Sequence, residues 1–63
     1  MTELGLRIRK ARKTLGISQR ELARRMGVHY NSVYYWEHGE RLPRDKKKLI
    51  LANLLQMSVN ELE

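Results

Sequence analysis

A chain of 63 residues without a cysteine has to hold itself together by side-chain packing alone, and that demand constrains it more than any motif it carries. A body this small sits just below the size at which a hydrophobic core is comfortably self-sufficient. Disulfides and Cys-built zinc sites are not available as staples, and their absence fits a reducing compartment. One domain spanning residues 1–63 is the organisation this length allows. No apolar run approaches the roughly 18 residues of a membrane span. The opening Met1-Thr2-Glu3-Leu4-Gly5 lacks the basic flank and apolar stretch of a secretory signal. A cytoplasmic protein is expected.

With hydrophobic residues at 41%, the core must be built efficiently, and the periodicity says how. Leu4, Ile8, Ala11 and Leu15 form one stripe of a helix over residues 3–15, whose other faces carry Arg7, Arg9, Lys10, Arg12 and Lys13. Gly16 stops it. Ser18-Gln19-Arg20-Glu21 reads as a capping box opening a short helix over 19–26, with Leu22, Ala23 and Met26 inward. Gly27 permits the tight turn into a third helix over 30–38, with Val33 and Trp36 inward and Gly39 as its stop. Its cap is unorthodox, since His29 stands where Ser, Thr or Asp is usual. Pro43 marks a loop, and Asp45 is expected to cap a fourth helix running to about Leu55. That helix, nearly continuous in apolar residues, is expected to be the most buried element. Ser58-Val59-Asn60-Glu61 is a second capping box that opens a last short turn near Leu62.

The charge is distributed unevenly. The net +6 and pI near 10.2 imply a polyanionic partner. Residues 1–25 carry eight basic and two acidic groups, and residues 41–48 carry five and one. Between them lies an acidic stretch bearing Tyr30, Asn31, Tyr34 and Tyr35. Flanks that hold phosphates around a centre that reads something more specific would have this order. Alternating charged faces on small soluble helices would produce a similar pattern.

A short capped helix, a Gly27-Val28 turn and a second helix with polar outward residues is the helix-turn-helix plan, in which the second helix enters the major groove. At this point the sequence resembles the lambdoid phage repressor and Cro domains and the related Xre-like regulators. The resemblance runs from about Leu4 to Leu62. It rests on Leu4-Gly5, Arg7-Ile8-Arg9 with Arg12, Ile17-Ser18-Gln19, Glu21-Leu22-Ala23 and Met26-Gly27-Val28. Trp36-Glu37-His38-Gly39, Pro43 and Ser58-Val59-Asn60-Glu61-Leu62 complete it.

The resemblance implies an all-α fold, a compact five-helix lambda-repressor-like domain with helices two and three as the helix-turn-helix. It further implies a bacterial or phage, nucleoid-associated regulator that binds double-stranded DNA as a homodimer on palindromic operators. Base contacts would come from Tyr30, Asn31 and Tyr35. Asn31 suits adenine, whose N6 and N7 its amide can engage together. Phosphate or minor-groove contacts would come from Gln19, Arg12, Ser32, Tyr34, Arg41 and Arg44. A partly buried Arg12–Glu37 ion pair would join the first helix to the end of the third. Leu42, Val59 and Leu62 would form the dimer contact.

Other readings stand beside these. Tyr30 or Tyr34 would serve equally as a partly buried packing residue, Gln19 as a solvated first-turn residue, and Lys46, Lys47 and Lys48 as the solvated start of a helix. A protein-interaction adaptor, antitoxin-like, would use Leu42, Met57 and Leu62 as one exposed patch. Membrane-surface binding by the first helix lacks a large aromatic apolar face. Two departures from the family pattern stand out: Lys48 sits where an apolar residue is usual, and Gln56 replaces a glycine. No catalytic constellation is present, and no cofactor is expected. His29 and His38, with Glu37 nearby, lack a third ligand at metal-binding spacing.

Overall fold

The computed structural model describes residues 2–62, and the side chain of Val59, expected at a dimer contact, lies outside the described residues. Four α-helices follow in order: α1 (Glu3–Thr14), α2 (Gln19–Met26), α3 (Tyr30–His38) and α4 (Asp45–Leu55). The chain then closes in a 3-10 turn, Val59–Leu62. The expected fifth helix is therefore this single turn, too short to satisfy an α-helical bonding pattern.

Local chemistry sets the boundaries. Thr2 caps α1, its hydroxyl accepting from the Gly5 amide at 3.0 Å. Ser18 caps α2 by accepting from the Glu21 amide at 3.0 Å. Each capping box forms only one of its two bonds. The carboxylate of Glu21 turns to Arg24 and Arg25, whereas at the second box the Ser58 amide donates to Glu61 Oε2 at 3.0 Å. His29 proves to be a working cap, because its Nδ1 accepts from the Asn31 amide at 3.2 Å. Asp45 does not cap α4. Arg44 holds the cap position without a side-chain bond, and Asp45 is the first helical residue, where its charge still favours the helix dipole.

Gly27 makes the turn between α2 and α3. Its φ of +71° lets the Val28 amide donate back to the Ala23 carbonyl at 3.0 Å, closing α2 within one residue. α4 ends with the same geometry, the Met57 amide donating to the Ala52 carbonyl at 2.9 Å, but there Gln56 carries the positive φ of +57°. A residue with a Cβ is strained in that region by about 1 kcal/mol.

α3 packs against both α1 and α2, while the closing turn packs against α1 and α4. Ile8, Leu22, Val33, Leu51 and Leu62 are fully buried, with Met26, Trp36 and Leu55 close behind. Each such side chain stabilises the fold by about 1.5–3 kcal/mol relative to exposure. α1 crosses the end of α3 at Gly5, where an added Cβ would collide with the backbone carbonyl of Glu37. Only glycine permits that approach.

α4 is not the most buried element. Its apolar residues run round much of the helix, so Leu51, Ala52 and Leu55 are buried with Leu54 partly buried beside them, leaving Leu49 54% exposed and Ile50 at the edge. Lys48 is half-buried, as expected if its aliphatic stem covers apolar surface. Leu62 is a core residue rather than a surface contact, since the 3-10 turn folds it under α1 and α4.

Candidate nucleic-acid interface

α3 presents two opposite sides. Val33, Trp36 and Glu37, spaced by three and four, face inward. Tyr30, Asn31 and Tyr34 face out, both tyrosines 41% exposed, while Ser32 and Tyr35 are half-buried at the flanks. Tyr30 and Tyr34 are therefore at the surface and are not packing residues of the core, whereas Tyr35 is half-buried.

Beneath α3 lies a buried polar knot. Arg12 donates from Nε to Glu37 Oε2 at 2.6 Å and from Nη2 to Glu37 Oε1 at 3.1 Å, the planar fork on a carboxylate that makes strong, oriented bonds. Its remaining nitrogen, Nη1, donates to the Ile17 carbonyl at 2.8 Å. Gln19 Nε2 adds a third bond to the carboxylate, reaching Glu37 Oε1 at 3.1 Å. Glu37 is thereby tied to α1 and to the first residue of α2, and Arg12 in turn to the α1–α2 loop. No buried side-chain nitrogen or oxygen is left without a partner among the described residues. A satisfied pair of this kind adds little net stability but fixes geometry.

Two of the residues expected to contact DNA take part in this knot. Arg12 is 8% exposed, and each of its three guanidinium nitrogens makes one bond inside the fold, so in the folded chain it joins α1 to the end of α3. Gln19 opens α2 as expected, yet its amide nitrogen points to Glu37. Arg41 and Arg44 remain exposed in the loop before α4.

The outward side chains are stacked on one another. His29 stacks on Tyr30 at 4.7 Å, Tyr34 stacks on His38 at 4.1 Å, and Tyr34 meets Tyr35 edge-on at 5.8 Å. Arginines lie over two of the rings: Arg20 4.6 Å from the Tyr30 centroid and Arg41 5.2 Å from that of Tyr35. Rings held in this way lose little freedom when a ligand arrives. The contact of Arg20 with Tyr30 was not legible in the sequence, because only the turn at Gly27 brings the start of α2 to the start of α3.

Glu21 sets the local charge on α2. Hydrogen bonds from Arg24, then Arg25, hold its carboxyl down at about 2, and the same contact raises Arg24. Elsewhere, the residues expected to share one adaptor patch are separated by depth: Leu42 is 65% exposed, Met57 half-buried and Leu62 buried. No cluster of three or more His, Cys, Asp or Glu side chains forms among the described residues. No helix among them is long and apolar enough to cross a membrane.

This geometry, a capped short helix, a glycine turn and an exposed second helix clamped from below, defines a helix-turn-helix. The family described as helix-turn-helix matches residues 8–62, and the chain belongs to it. The chain is 40% identical over 55 residues to the HTH-type transcriptional regulator DicA of Escherichia coli (strain K12), across 87% of this chain and 41% of that protein. It thus spans about two fifths of that relative's length. Among solved structures, the P22 c2 repressor in complex with synthetic operator 9T superposes with a TM-score of 0.92 at 35% identity, covering 98% of this chain and 94% of that one. The restriction-modification controller protein C.AhdI from Aeromonas hydrophila gives 0.87 at 33% identity, covering 97% and 92%. The resemblance to lambdoid repressor and Cro domains holds.

Proposed function

We propose that this chain is a sequence-specific binder of double-stranded DNA that regulates transcription, acting as a symmetric dimer with α3 of each copy in the major groove. The observation that carries this reading is the outward face of α3, where Tyr30, Asn31 and Tyr34 stand exposed above a fully bonded buried support. The 0.92 TM-score to a repressor in complex with its operator supports it. Asn31 engages an adenine edge, Tyr30 and Tyr35 lie against neighbouring bases, and Ser32, Tyr34, Arg41 and Arg44 approach the sugar-phosphate backbone.

The size of the domain supports two copies on a palindromic site. Successive major-groove half-sites are about 34 Å apart, whereas the domain extends 23 × 23 × 21 Å, so one copy reads one half-site only. Leu42, 65% exposed in the loop after α3, is the residue assigned to the contact between copies. Leu62, buried in the monomer, is not part of it. Binding should be measured on duplexes selected from a random pool, over a salt series. Log affinity is expected to fall linearly with log salt, and the recovered sites are expected to be palindromic with helical-turn spacing. A chain that prefers no duplex sequence overturns the reading.

A further inference from the structure

The three arginines of α2 are held in different ways. Arg24 and Arg25 both close on Glu21, at 2.6 and 2.7 Å, so one carboxylate offsets part of their charge. Arg20 is exposed and forms no ion pair or side-chain hydrogen bond among the described residues. What holds it is the face of Tyr30, 4.6 Å away. A guanidinium over a ring is attracted by the π system, and because no side-chain hydrogen bond among the described residues uses the N–H groups of Arg20, its planar donor fork stays free. Tyr30 is the first residue of α3, the end of a reading helix that meets base edges. An uncommitted bidentate donor is therefore carried from α2 to the tip of α3.

We infer that Arg20 is a DNA-contacting residue that donates two N–H groups to one planar pair of acceptors on the duplex, and that Tyr30 is the positioning residue that aims it. The acceptor pair is guanine O6 and N7 or two oxygens of one phosphate, which offer the same chemistry to a guanidinium. This inference rests on the DNA-binding reading above. It adds to that reading a contact from outside α3 and gives Tyr30 a second role through its ring face.

The test uses the full chain and a duplex recovered by selection, with anisotropy titrations across a salt series for wild type, Arg20→Ala, Arg20→Lys, Tyr30→Phe, Tyr30→Leu and the Arg20→Ala/Tyr30→Leu pair. Melting temperatures of all variants are expected to match wild type, because both side chains are exposed. Arg20→Ala is expected to weaken binding roughly tenfold or more, and Arg20→Lys to recover only part of this, since an ammonium lacks the planar fork. Tyr30→Phe keeps the ring face and preserves the Arg20 effect. Tyr30→Leu is expected to weaken wild type far more than it weakens Arg20→Ala. Loss of preference at one guanine in Arg20→Ala assigns the base edge; uniform weakening with a salt slope lower by about 1 assigns a phosphate. Either result supports the inference. Wild-type affinity in Arg20→Ala overturns the contact, and full additivity of Arg20→Ala with Tyr30→Leu overturns the positioning. If the wild type itself prefers no duplex, the DNA-binding reading falls first, and the two failures are thereby told apart.

Discussion

The two sides of α3 are built on opposite rules. Its inner side buries a carboxylate that accepts three hydrogen bonds, from Arg12 and Gln19, between apolar Val33 and Trp36. Its outer side leaves the Asn31 side chain in solvent and holds tyrosines by ring contacts and by arginines laid over their faces. In the interior an unmet polar group costs about 1–3 kcal/mol, and among the described residues no buried side-chain nitrogen or oxygen is left without a partner. On the surface an unmet donor costs nothing until a ligand displaces its water, and remains available for recognition. Rigidity beneath and exposure above thus hold the outer face of α3 in fixed register, as the proposed DNA contact requires.

The strongest way to break this contrast is to unmake the knot. Glu37→Ala strands a buried guanidinium, and urea unfolding is expected to show a loss of about 3–5 kcal/mol. A loss below about 1 kcal/mol would mean that the pair behaves like a surface salt bridge. Gly5→Ala attacks the same support from α1. Overpacking against the Glu37 carbonyl is expected to cost about 1–3 kcal/mol in the same assay. Asn31→Ala sharpens the contrast from the other side: stability is expected to stay within about 0.5 kcal/mol of wild type. Discrimination at one adenine position is then expected to fall by about 1–3 kcal/mol in competition titrations.

Smaller effects lie away from α3. Gln56→Gly relieves the left-handed strain at the end of α4 and is expected to raise stability by about 1 kcal/mol, read as a shift in urea midpoint at constant slope. The slightest effect concerns Glu21. Its carboxyl is depressed from 4.5 to about 2 by Arg24 and Arg25, so its contribution is complete above the unfolded value of 4.5 and is lost as pH falls toward about 2. Melting temperatures of wild type and Glu21→Gln are expected to converge over that window.

Much of the fold was legible because its cues are local. The bounds of α2 and α3 coincide with the residues that Ser18, Gly27 and Gly39 delimit, since caps and left-handed turns act within a few residues. The Arg12–Glu37 pair was legible only through resemblance, because its partners lie 25 positions apart. The burial of α4 was misjudged for a related reason. A helix apolar round much of its surface does not declare which side a short protein has core enough to cover.

Chain order and residue type settled where helices start and stop, which side of α3 is apolar, and that the protein carries a cationic excess, because these depend on near neighbours and simple totals. Only packing in three dimensions decided that Arg12 turns inward, that Leu62 is core, and that Arg20 lies on Tyr30. Those outcomes depend on which segments the folded chain brings within a few ångströms, and a guanidinium or a leucine has no preference between surface and interior until its neighbours are in place.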